Sequence, residues 1–138
     1  MTSQASESPG SKRLKRKLAD SALIFEAEVL NRLVVREPTN ITYLAALGQA
    51  FSKLKKHDRG LAVDQKLVAA KPGDPTFRYN LACSMVLTGD LDGACGQLLR
   101  AIDLGYRDFD HLLQDDDLTS LRLDPRFGLV TDRISQLG

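Results

Sequence analysis

Between Asp74 and Tyr106 the hydrophobic positions fall into two helical patterns with a break between them. Phe77, Leu81 and Met85 recur every four residues, which aligns them on one face of an α-helix. Gly89-Asp90 interrupts the pattern, and a second helix follows with Ala94, Leu98, Ala101 and Ile102 on one face. Asp92 is placed to cap it. Shifting the chain by 34 residues reproduces the arrangement: Phe77 falls on Tyr43, Leu81 on Leu47, Ala82 on Gly48, Met85 on Phe51 and Ile102 on Val68. Asp92 falls on Asp58 and Arg100 on Lys66, and Pro72 and Pro38 close successive units at the same interval.

This frame predicts an all-α chain of antiparallel helix hairpins. Thr39–Pro72 forms one full unit, with Thr39 or Asn40 as cap, Tyr43, Leu47, Gly48, Phe51 and Leu54 facing the partner helix, and Leu61, Leu67 and Val68 buried on the second helix. Gly48 has no side chain to hold two helix backbones apart. Gly60 and Asp64 interrupt the second helix of this unit, and both weaken the hairpin. Residues 73–106 form the second unit, opened by Asp74 as N-cap and Pro75, whose missing N–H costs nothing at the first helical position.

Ser21–Glu37 is a strong helix with Leu23, Ala27, Leu30, Leu33 and Val34 in its stripe. Upstream the frame degrades, because Leu14 falls on Gly48 and Arg13 on Leu47. Residues 12–38 are therefore either a partial, capping repeat or one long helix from about Lys12. Met1–Ser11 is polar, has no apolar region of the kind a secretory signal carries, and is expected to be disordered. After Tyr106 the period fails, since Asp115 and Asp116 would replace Leu81 and Ala82. Residues 107–138 are predicted to form a helical cap with short helices near Phe109–Gln114 and Leu118–Arg122. A last helix, started by Asp124-Pro125, runs through Ile134.

A period of 34 with Leu47-Gly48-x-x-Phe51, the looser Leu81-Ala82-x-x-Met85 and a closing proline resembles the tetratricopeptide repeat. The tail resembles a closing segment that follows such repeats in many bacterial proteins, where GYRD, a DxDL…LR stretch and DPRF recur. Together the two resemblances cover about Thr39 to Ile134. They imply an α-solenoid of two full repeats with helical caps, acting as a non-catalytic scaffold that binds a peptide or helix of a protein partner. In that family the first helix of each repeat lines a concave groove. Carried over, the groove residues are Thr42, Ala45, Gln49, Ser52 and Lys53, then Thr76, Tyr79, Asn80, Cys83, Val86 and Leu87. Tyr79 is the expected anchor, unless the chain's own ends cover these apolar residues. A clamp for acidic chaperone tails is not implied: Asn80 resembles one of its asparagines, but Ala45 and Gln49 stand where Lys and Asn belong.

Composition adds little to this picture. A net charge of +1 gives the whole molecule no strong pull toward nucleic acid or membrane. The exception is Lys12–Lys17, where Lys12, Arg13, Lys15, Arg16 and Lys17 make a polybasic segment. It is read mainly as a solvated helix start with Leu14 and Leu18 turned inward. The alternative is an adaptor surface for nucleic acid or anionic membrane. Self-association is open. Cys83 and Cys95, on opposite helices of one hairpin, are expected as reduced thiols of a cytoplasmic protein. No cofactor or metal is expected: Asp115–Asp117 lacks calcium-loop spacing, and capping by Asp116 or Asp117 explains it. His57 and His111 lack ligand-spaced partners, no catalytic motif is present, and a Cys83–His111 pair has no evident orienting group.

Overall fold

The first helix outruns its repeat frame. In the computed structural model, which describes residues 8–138, α1 runs unbroken over Pro9–Arg36. Ser8 caps it, its hydroxyl accepting from the Ser11 N–H at 3.1 Å, and Pro9 takes the first turn. Of the disordered tail expected over residues 1–11, residues 1–7 lie outside those described, while Pro9–Ser11 are helical. No glycine or proline separates Asp20 from Ser21, so nothing breaks the chain into two helices there. Leu14 and Leu18 do not turn inward: with no helix beside them they are 59% and 62% exposed. Only from Leu23 onward does α1 meet a neighbour, burying Ala27 and Val34 against α2 (Ile41–Lys53).

Three helices continue the stack: α3 (His57–Ala70), α4 (Pro75–Leu87) and α5 (Leu91–Asp103). From Ile41 to Pro75, and from His57 to Leu91, the step is 34 residues. The caps repeat as well. Asn40 accepts from the Tyr43 N–H at 3.1 Å and Asp74 from the Phe77 N–H at 3.0 Å. For α5 the capping residue is Asp90, not Asp92, with its carboxylate 2.8 Å from the Gly93 N. Asp92 sits in the first turn, where its charge faces the helix N-terminus. Each hairpin turn needs one residue at positive φ. Gly89 fills that position at +93° without strain, whereas Lys55, 34 residues earlier, is forced to +56°.

Helices pack in sequence-adjacent antiparallel pairs, giving a helical-repeat stack with no strand among the described residues. One core cluster joins α1, α2 and α3 through Val34, Leu44, Leu47, Phe51, Val63 and Leu67. Val63 fills the place expected for Leu61, which is only half-buried. Gly48 lies against side chains, not backbone. An added Cβ would meet Val63 Cγ1 at 3.4 Å and Asp64 Oδ1 at 3.6 Å, so a methyl fits there and a larger group does not.

The second cluster joins α4 and α5 to the tail: α6 (Phe109–Gln114), a 3₁₀ turn at Asp116–Leu118, α7 (Thr119–Arg122) and α8 (Phe127–Ser135). Leu98, Leu112, Leu118, Leu121 and Val130 are fully buried together. The final helix starts two residues beyond Pro125, after a turn in which Asp124 accepts from the Arg126 N–H at 2.9 Å. Arg122 ties the tail to itself, its guanidinium donating to the carbonyls of Asp115 at 2.6 Å and Leu112 at 3.3 Å. The tail is thus built into the core, and it delivers Asp115 and His111 to the face of α4.

Candidate binding groove

Between α2, α3, α4 and the tail lies a cavity of about 510 Å³. Eight of the eleven predicted groove residues line it: Ala45, Gln49 and Ser52 from α2, and Thr76, Tyr79, Asn80, Cys83 and Leu87 from α4. They converge because α3 packs against both α2 and α4 and brings them to one cavity, and because 45, 49, 52 and 76, 79, 80, 83, 87 each follow helical spacing. Thr42 and Lys53 are exposed but lie outside the cavity, and Val86 is buried in the α4–α5 core. A second cavity, of about 410 Å³ between α1, α2 and α3, contains none of the predicted residues.

Within the groove, Tyr79 is not an open anchor. It is 4% exposed. Its ring stacks on Tyr106 with centroids 4.4 Å apart and planes within 2°, and His111 tilts against it at 5.6 Å. The chain's own tail covers the apolar half of the predicted site. Tyr79, Cys83 and Val86 are therefore packing residues first, and the groove that remains open is mostly polar: Gln49, Ser52, Thr76 and Asn80 are exposed, with Leu87 the exposed apolar residue beside them.

Asp115 organises the covered end. Its Oδ2 accepts from the Tyr79 hydroxyl at 2.6 Å and from the Cys83 thiol at 3.7 Å, and it lies 3.2 Å from His111 Nε2. Its Oδ1 accepts from the Asp117 N–H at 3.0 Å, so Asp115, rather than Asp116 or Asp117, caps the 3₁₀ turn. Burial, reinforced by the nearby Asp115 charge, pushes both the Tyr79 phenol and the Cys83 thiol well above their ordinary values. Tyr106 is pushed up to about 12, chiefly by burial. Burial and the Asp115 charge also raise Asp117, against the opposing pull of His57.

One sulfur and two carboxylate oxygens, from Cys83, Asp115 and Asp117, come within 4.8 Å of one another and could present ligands to a single cation. Asp115 already accepts from four groups of this chain or lies within reach of them, which accounts for the cluster without an ion. The third member missing from the Cys83–His111 pair is Asp115, yet the acid sits on the thiol itself and holds its proton in place.

Sequence reasoning missed His57, Asp64, Ser84, His111, Asp115 and Asp117 as groove residues. For Asp64 a signal existed: an acid on an inward helical position, read as a weakness, is satisfied across the hairpins by the Ser84 hydroxyl at 2.5 Å. Burial raises its carboxyl, and that hydrogen bond partly offsets the shift. For the tail residues no periodicity existed to place them. The five cations of the polybasic segment are all exposed on the first half of α1, remote from the groove lining. No protein-family model matches this chain, and no curated protein matches it.

Proposed function

We propose that this chain is a tetratricopeptide-like scaffold that docks a segment of a protein partner in the groove between α2, α3 and α4. The observation that carries the reading is the convergence on one cavity of eight of the eleven residues that the repeat resemblance assigns to the groove. With Tyr79 and Cys83 covered by the tail, the open surface offers Gln49, Ser52, Thr76 and Asn80 beside Leu87, and the half-buried carboxylates of Asp64, Asp115 and Asp117 share the lining with a single lysine, Lys56. Such a surface suits an extended polar segment bearing a cationic side chain better than the apolar face of a helix. The raised thiol of Cys83 supports a non-catalytic role, because the thiolate is the nucleophile. Two free cysteines fit a cytoplasmic setting, and among the described residues no helix is long and apolar enough to cross a membrane.

The alternative is an adaptor for nucleic acid or anionic membrane through Lys12–Lys17. At about 100° per residue its five cations share an arc of about 200°, opposite Leu14 and Leu18, and none of them lines the groove. The deciding experiment probes an array of short peptides with the intact protein and with a Gln49→Ala/Asn80→Ala variant. Both positions are exposed, so melting temperature should hold. Peptides bound by the parent and lost by the variant, with little salt dependence, support the groove. Identical profiles, or binding that collapses steeply with salt, overturn it.

A further inference from the structure

α1 carries two apolar faces and only one of them is covered. Leu23, Ala27, Leu30 and Val34 turn toward α2. Roughly opposite, Leu14, Leu18, Phe25 and Val29 fall within an arc of about 60° at helical geometry. Their exposures are 59%, 62%, 68% and 37%, and every residue from Ser8 to Ala22 is exposed. An apolar stripe of this length along a solvent-facing helix marks an interaction surface.

The charges beside the stripe change sign along its length. Lys15 and Lys17 flank Leu14 and Leu18 on either edge, whereas Glu26 and Glu28 flank Phe25 and Val29. By angle, Lys15 shares one edge with Glu26, and Lys17 shares the other with Glu28. Such a face is complementary to itself when reversed. We propose that α1 pairs antiparallel with α1 of a second copy of this chain, about a twofold axis near Ser21 and Ala22. In that register Leu14 meets Val29 of the second copy and Leu18 meets its Phe25, while the small residues Ser21 and Ala22 allow close approach at the centre. The twofold operation brings like edges together, so Lys15 faces Glu26 and Lys17 faces Glu28 across both halves of the contact. An anionic lipid surface would favour the basic half and repel the acidic half, and nucleic acid would leave the apolar stripe uncovered. The two folded bodies lie at opposite ends of the paired helices, because residues 8–22 extend beyond the part of α1 that packs on α2. The groove uses no residue of α1, so this pairing stands apart from the proposed function and would place two grooves on one particle.

Sedimentation of the intact chain over a range of micromolar concentrations should give a species of twice the 15.2 kDa chain mass. Leu18→Glu and Phe25→Glu should each give monomer while keeping the melting transition of the folded body. A Lys15→Glu/Lys17→Glu variant should lose the dimer, and adding Glu26→Lys/Glu28→Lys to it should restore the dimer. A monomer at every concentration would overturn the proposal. So would a dimer indifferent to Leu18→Glu, or the charge pairs failing to rescue each other. A chain that stays monomeric yet co-sediments with vesicles of mixed phosphatidylserine and phosphatidylcholine would likewise overturn it, in favour of a lipid surface.

Discussion

The hydroxyl of Tyr79 donates to Oδ2 of Asp115 at 2.6 Å, joining the first helix of the second hairpin to a turn 36 residues later in the chain. The phenol brings a large apolar ring into the core and still finds a charged acceptor at its tip, which is how tyrosine is best buried. The same contact fixes the tail over α4. It decides which part of the groove is closed and which part is open, so the shape of the candidate site depends on a residue pair that no repeat pattern contains.

Removing only the hydroxyl separates the two contributions of Tyr79. Tyr79→Phe keeps the stack on Tyr106 and removes one hydrogen bond to a carboxylate, for an expected loss of about 1.5–3 kcal/mol. Tyr79→Ala removes the ring as well and should cost about 3–5 kcal/mol. Denaturant midpoints of the three proteins measure both steps. If the alanine variant melted like the parent, Tyr79 would not be the packed residue described here.

Gly48 leads to a prediction of opposite sign for two substitutions at one position. A methyl group meets Val63 Cγ1 at 3.4 Å and fits, and alanine is the better helix former, so Gly48→Ala should stabilise by up to ~1 kcal/mol. Ala82, at the equivalent place in the next hairpin, is fully buried with its methyl accommodated. Gly48→Leu should overpack the same crossing and cost about 1–3 kcal/mol. Equal melting temperatures for glycine, alanine and leucine would contradict this packing.

The hairpins were legible because their signals are local and repeated: caps at Asn40 and Asp74, the break at Gly89-Asp90, and apolar spacing along each helix. The buried face of α5, Ala94, Leu98, Ala101 and Ile102, was readable for the same reason. What escaped was set by contacts between distant segments. Leu14 and Leu18 show helical spacing, but spacing cannot say whether a neighbour exists to bury them. Tyr79, Cys83 and Val86 are apolar on a face the repeat frame assigns to the groove. They are covered because a non-repeating tail folds back over part of that face and α5 takes the rest. Asp64 broke the apolar pattern and looked like a defect until Ser84 supplied its partner.

Asp117 gives the molecule a pH dependence whose sign can be worked out. Burial and the charge of Asp115 raise its carboxyl above 3.8 in the folded chain. Below that value both folded and unfolded states carry the proton, and the group does no harm to stability. As pH climbs, the unfolded chain ionises first, so this group's contribution falls until the folded carboxyl has ionised as well. Asp64 acts in the same direction, chiefly through burial. Asp117→Asn removes one titrating group. The variant should gain on the parent as pH rises from about 4 and then hold a constant lead once the folded carboxyl has ionised, as read from melting temperatures across that range. A constant difference between variant and parent at every pH would show that the Asp117 carboxyl is not raised by folding.

The last prediction concerns the tail as a structural unit. Leu112, Leu118, Leu121 and Val130 are each fully buried, and they share one cluster with Leu98 and Ile102 of α5. Arg133 pairs with Asp103 on the outside of the same contact. Ending the chain at Tyr106 would leave the α5 face bare, remove Asp115 as acceptor of the Tyr79 hydroxyl, and open the stacked tyrosines to water. An exposed apolar face of that kind drives association, because a helical stack needs a terminal element with a polar outer surface. The truncated chain should therefore aggregate, or remain soluble only with loss of its cooperative melting transition. Scattering and far-ultraviolet circular dichroism on freshly prepared protein distinguish these outcomes from a monomer of undiminished helicity. Such a monomer would mean that α4 and α5 stand without the tail, and that the closed end of the groove is an attachment, not part of the core.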